Sequence, residues 1–167
     1  MSMQFEIKGI DKTIQHLKEY QKRMPDKTDK LLERLATIGA FRARIDFSNA
    51  MYAGDNDVEV EVTKDGNGYV IKASGSSVLF IEFGTGILNP EHPQSGEFGF
   101  MHGTYGKGKG ANPNGWVYVG SQGNAGQTIR DGVYRTYGNP PAMAMWNASK
   151  DIRQEIEKIA REVFSGD

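Results

Sequence analysis

The chain contains no cysteine, so disulfides, thiolate metal sites and cysteine nucleophiles are excluded. It has no apolar run near the ~18 residues of a membrane span, and Met1 to Phe5 do not read as a signal peptide. This predicts no membrane partner and a protein made in the cytoplasm. It also lacks a basic excess: 20 Lys and Arg stand against 21 Asp and Glu, for a net charge of -1. A bulk polyanion binder normally carries a clear positive surplus. Apolar residues are scarce, at 38% of 167 residues. That suits one domain, residues 1–167, with a modest core or one completed by a partner surface.

What is present is unevenly spread. Residues 1–51 hold ten basic and seven acidic side chains, whereas residues 52–83 hold two and six. A basic end and an acidic middle suit head-to-tail packing of identical subunits, or describe an ordinary solvated surface. Fourteen of the 21 glycines fall in residues 84–138. This marks residues 84–139 as a Gly-rich loop or hairpin region within the domain.

Hydrophobic spacing predicts the elements. Met3 to Lys8 alternates as a short strand. Asp11 is placed to cap a helix carrying Ile10, Ile14, Leu17 and Met24, which Pro25 is expected to interrupt. A second helix, restarting at Asp26 or Thr28, carries Leu31, Leu35, Ile38, Phe41 and Ile45 on one face. Arg34 and Arg42 share that face, either with packed stems and solvated heads or at an interface with another chain. Val58, Val60 and Val62 alternate with Glu59, Glu61 and Thr63, and Asp65 to Gly68 is a turn leading to Tyr69, Ile71 and Ala73. Ser77 to Phe83 is a third apolar stretch, strand or strand-to-helix, and the three together suggest an antiparallel meander. Trp116 to Gly120 reads as a strand with Thr128 to Tyr137 as its partner or as loop. Pro140 and Pro141 start a last helix with Met145, Ala148, Ile152, Ile156, Ile159 and Val163 on one face. The expected class is α+β: a small antiparallel meander packed against N-terminal and C-terminal amphipathic helices.

Chemistry-bearing residues are few. His16 lies on a charged helix. His92 and His102, with Glu91 and Glu97 nearby, offer the donors of a two-histidine, one-carboxylate metal site, but their spacing matches no ligand signature and no metal is expected. A small nuclease or toxin-like hydrolase would use His92 or His102 with Glu82 or Glu97, and an arginine such as Arg130 or Arg135. Tyr105 to Gly110 resembles a phosphate loop without the required spacing, so no cofactor is expected. Its Lys107 and Lys109 are negligible for DNA binding by a monomer but multiply in a ring. Glu82, between Ile81 and Phe83, is read as structural, accepting hydrogen bonds from the turn behind it or pairing with an arginine of the basic helix. Trp116 and Tyr118 are either aromatic anchors ordered on assembly or plain sheet core.

The order of these features resembles the small tail-component proteins of long-tailed bacteriophages and prophages, the tail-completion or neck family. The resemblance rests on Phe80-Ile81-Glu82-Phe83-Gly84-Thr85-Gly86, on Pro140-Pro141-Ala142-Met143 leading into the last helix, and on Ile7-Lys8-Gly9-Ile10-Asp11 before the first. The stretch from Gly86 to Pro140 is longer than the family pattern, and Ala-Met-Ala-Met-Trp follows Pro141. The resemblance implies a non-enzymatic virion part, assembled as a ring, commonly of six copies, between the tail tube and the head-completion proteins. It implies location in the virion neck after assembly from the host cytoplasm, and transient DNA contact in the channel. The residues expected at subunit or partner interfaces are Arg34, Arg42, Glu82, Phe83, Gly84, Thr85, Gly86, Phe100, Tyr105, Lys107, Lys109, Trp116 and Tyr118. A third reading is a generic binding module of a mobile element with the same fold.

Overall fold

The computed structural model describes residues 10–86, 92–99 and 112–165. The Met3–Lys8 strand, Glu91, His102, Phe100, Tyr105, Lys107 and Lys109 lie outside the described residues. The fold is α+β, with a long N-terminal helix, small antiparallel sheets and a C-terminal helix.

Helix α1 runs unbroken over Ile10–Ser48, with Pro25 inside it. The expected interruption does not occur. Proline removes one amide and frees the carbonyl four residues back. That carbonyl belongs to Gln21, which is exposed, so water can serve it. Because the helix already starts at Ile10, Asp11 lies in its first turn rather than before it.

Strands β1 (Glu59–Asp65) and β2 (Gly68–Ser74) form the expected hairpin, in register from Glu59 opposite Ser74 to Asp65 opposite Gly68. Its inner face, Val60, Val62, Ile71 and Ala73, packs on Ala40, Ala43 and Phe47 of α1. Arg44 fixes the strand to the helix, its guanidinium donating twice to the Val60 carbonyl at 3.0 and 2.8 Å.

The third apolar stretch is not a strand. Val78–Phe83 forms the short helix α2, so the meander stops at two strands. Ser77 heads that helix without a side-chain cap of its own. Asp57 caps it from a distance, accepting from the amides of Ser76 and Ser77 at 2.7 and 3.0 Å and from both hydroxyls.

Beyond it, β3 (Thr85–Gly86) pairs with a late two-residue strand, Gly138–Asn139. Between them lie the short helix α3 (Ser95–Phe98) and a three-stranded sheet. That sheet consists of β4 (Trp116–Val119), β5 (Gln127–Arg130) and β6 (Val133–Thr136), with β6 central. The expected Trp116 strand and its partner are both present, and the Gly138–Asn139 strand is β7. Helix α4 spans Ala144–Ser165, starting three residues after Pro141. It packs mainly on α1, where Leu35, Ile159 and Val163 form a second core cluster with Leu31, Ile38 and Ile152 around it.

Candidate functional site

The two segments that carry the resemblance meet. The amides of Ala142 and Met143 donate to the carbonyls of Ile81 and Glu82 at 2.8 and 3.2 Å. This zips the end of α2 to the entry of α4. One turn on, Gly86 faces Gly138 across β3–β7. A Cβ on Gly138 would strike the Thr85 carbonyl, and one on Gly86 the Tyr137 carbonyl; both residues also hold positive φ (99° and 71°). Only glycine permits this approach at both positions.

Thr85 and Asn139 close the side of the bridge. The Thr85 hydroxyl donates to the Asn139 side-chain oxygen at 2.5 Å, and the Asn139 amide nitrogen donates to the Phe80 carbonyl at 3.0 Å. Both residues are buried.

Glu82 occupies the centre. Helix α4 begins after Met143, whose side chain offers no cap and whose φ is +53°. Helix starts leave amides without intrahelical acceptors. Glu82 supplies acceptors from another element: the Met145 amide donates to Oε2 at 2.9 Å and the Trp146 amide to Oε1 at 3.1 Å. A carboxylate at a helix N-terminus is further favoured by the helix dipole.

His92 completes the node at 1% exposure, its Nε2 lying 3.3 Å from Glu82 Oε1. The Gln94 amide donates to His92 Nδ1 at 3.0 Å. Nδ1 is therefore the acceptor nitrogen, and Nε2 carries the proton shared with Glu82. The ring stands edge-on to Phe83 at 4.5 Å and to Trp146 at 5.9 Å, and Phe83 in turn touches Phe98 at 5.3 Å.

Chemically, this is a fastener. Both carboxylate oxygens and both imidazole nitrogens are engaged by protein groups. Among the described residues no cluster of three or more His, Asp or Glu is placed to hold a metal ion.

The structure separates the other expected site residues. Glu82, Phe83, Gly84, Thr85 and Gly86 are all buried at the node. Glu82 accepts from the start of α4, not from the turn behind it or from an arginine of α1. Arg34 and Arg42 are half-exposed and lie on the α1–α4 seam. Arg34 meets Glu162 at 2.6 Å, and Arg42 meets Asp46 and Asp151 at 2.9 and 3.6 Å. The Arg34 guanidinium lowers the Glu162 carboxyl below its usual range, and Asp46 raises Arg42. Trp116 and Tyr118 are half-buried on one face of the three-stranded sheet, where Tyr118 rests on Tyr134 at 5.7 Å. Arg130 and Arg135 sit on β5 and β6 and are exposed; neither is bonded to Glu82 or His92.

Sequence reasoning missed Asp57 as a cap, Asn139 as the partner of Thr85 and the left-handed turn at Met143. The signal for a remote cap was present: neither Ser77 nor Met143 is followed by a capping-box acid, and each is matched by a carboxylate far away in sequence.

Comparison of the chain with family models, curated proteins and solved structures returned no match.

Proposed function

We propose that the chain is a structural subunit of a phage or prophage virion, a tail-completion or head–tail joining protein that assembles as a ring at the tail end facing the head. The supporting observation is the joining of Phe80–Gly86 to Pro140–Met143 at one buried node. On this reading the motif residues hold the last helix against the chain, which is what a rigid building block requires. The partners are further copies, commonly six, with the tail tube on one side and head-completion proteins on the other.

The exposed apolar residues support the same reading. Ile14, Leu17, Phe41, Val117, Val119 and Ile129 are all exposed, and surfaces of this kind are completed by association. At ~25 cal/mol per Å² of apolar area, a few hundred Å² per contact contributes several kcal/mol before association costs.

The competing reading, a hydrolase using His92 with Glu82, draws on their 3.3 Å contact. General acid–base work needs a nitrogen or oxygen free to reach substrate. Here those atoms are spent on the backbone of Gln94, Met145 and Trp146.

Antibody labelling of purified particles of the encoding phage tests the proposal. Label at the neck and rings of purified protein in electron micrographs are the expected result. Absence of the chain from particles overturns it, as does hydrolysis by the pure protein that His92→Ala abolishes.

A further inference from the structure

Helix α1, at 39 residues, is about 58 Å long, whereas the 22 residues of α4 reach about 33 Å. Helix α4 therefore covers only part of α1. Their contacts run from Asn147 on Asp46, at 2.8 Å, to the Phe164 carbonyl, which accepts from Lys27 at 3.3 Å. Residues 12–26 extend past the end of α4, and all of them are exposed.

This arm repeats the pattern of the covered part. Leu31, Leu35 and Ile38 are the α1 side chains packed around Ile159 and Val163. At 100° per residue, Ile14, Leu17 and Met24 project within about 60° of Leu35. They are 43%, 63% and 37% exposed. The seam that α4 fills thus continues past α4 with its apolar side chains exposed over about four turns. A helical segment of that length draws its stability from packing its apolar face.

The arm is also basic. Residues 12–26 carry four basic and two acidic side chains. Its complement lies elsewhere on the chain, where residues 55–65 carry five acidic and one basic. Glu59, Glu61 and Asp65 alternate on the solvent face of β1, all exposed; Val70 of β2 joins them at 44% exposure, as does exposed Lys72 opposite Glu61, which leaves the face net acidic. None of the three acids has an ion-pair partner among the described residues. Among the described residues no ion pair joins the arm to these acids, and the base of the arm, at Met24 and Pro25, borders the hairpin's turn at Gly66 and Asn67. The opposite face of the hairpin is the one that packs on α1, through Val60, Val62 and Ile71. Two arms packed on each other would place like charge on like charge, so the acidic face is the better complement.

We propose that the α1 arm of one copy docks on the solvent face of the β1–β2 hairpin of the next. Ile14, Leu17 and Met24 lie over Val70, and Lys18 and Lys22 face Glu59 and Glu61. Each copy gives an arm and receives one at a different surface, so the contact is head-to-tail and propagates into a ring or a filament. The inference rests on the reading of the chain as a self-assembling subunit and names the surface it uses.

The chain's lack of cysteine makes the test direct. Full-length Lys18→Cys, Glu61→Cys and the double variant are oxidised at a concentration where wild type self-associates, judged by sedimentation velocity. The double variant should form a ladder of dimers, trimers and higher species, and neither single variant should. Separately, Glu59→Lys with Glu61→Lys should weaken self-association about tenfold, and adding Lys18→Glu with Lys22→Glu should restore it. Circular dichroism confirms that the variants fold, as expected for exposed positions. Assembly by wild type without the ladder, or with charge swaps that leave it unchanged, overturns this contact and leaves the ring reading standing. Cross-linking by Lys18→Cys alone means arm-on-arm packing and also overturns it. A wild type that stays monomeric at all concentrations overturns this contact, and the virion-subunit reading is then decided by the labelling of particles.

Discussion

Two carboxylates organise the ends of two helices, and each comes from outside the helix it serves. Asp57 holds Ser76 and Ser77 at the start of α2, and Glu82, near the end of α2, holds Met145 and Trp146 at the start of α4. Removing Glu82 strands two amides and the His92 proton in a buried place. Glu82→Ala should cost about 2–4 kcal/mol, as the sum of a lost cap and unpaired buried donors, read as a lower denaturation midpoint in urea. Glu82→Gln keeps one acceptor oxygen and should cost less. Asp57 titrates far below the usual carboxylate range, chiefly because the Ser77 hydroxyl donates to it, with Ser76 and two amides adding to the effect. Its folded pKa is depressed relative to about 3.9 in the unfolded chain, so its contribution is fully present above that value. It is lost as pH falls toward the folded value. Asp57→Asn should therefore lower stability at neutral pH and flatten the acid limb of a stability–pH curve below about pH 4; an unchanged acid limb would contradict the assignment.

Among the elements, α1 behaves least as local rules suggest. Proline in a helix interior costs about 3 kcal/mol relative to alanine, yet the helix continues on both sides of Pro25. Fixation on the C-terminal side is strong. Lys27 reaches Phe164, and Asp29 is bonded to Lys64 at 2.5 Å and to the Tyr69 hydroxyl at 3.4 Å. Residues 12–24, before Pro25, are exposed along their whole length. Pro25→Ala should raise helix content and thermal stability, seen in far-UV circular dichroism, with the gain confined to hydrogen exchange of residues 12–30. A loss of stability would mean that the proline sets a bend the arm needs. Arg34–Glu162 lies on the exposed rim of the α1–α4 seam, so its contribution should fade as salt is raised.

At the scale of the whole molecule, the helices and the hairpin form one packed body, while among the described residues the β4–β6–β5 sheet makes its main contacts within itself. Asn124 ties its β4–β5 turn to the segment after α1. It donates from its backbone to the Tyr52 carbonyl at 3.1 Å, accepts the Tyr52 amide at 2.7 Å and donates to the Ala50 carbonyl at 2.9 Å. Asn124→Ala removes the last two of these. Faster exchange across residues 116–136, with protection in α4 unchanged, is the expected result; uniform loss of protection would show that the sheet is part of the core.

The amino-acid sequence by itself determined the elements whose signal is local. The Val58–Thr63 alternation and the Gly66-Asn67 turn are enough for a hairpin, and the Met145–Val163 stripe is enough for a helix. Periodicity and turn chemistry act over a few residues, so they can be read in order along the chain. The same signals misplaced Ser77–Phe83, because a short run with five apolar residues suits a strand as well as a helix and the deciding cap comes from Asp57, some twenty positions away. They broke α1 at Pro25, because the contacts of Lys27 and Asp29 that hold the following turns lie on α4 and the hairpin. Glu82 was legible as structural, but its partners were not. A buried carboxylate must find donors, and only the folding of α4's first turn against α2, with the left-handed Met143 between, brings the Met145 and Trp146 amides within reach.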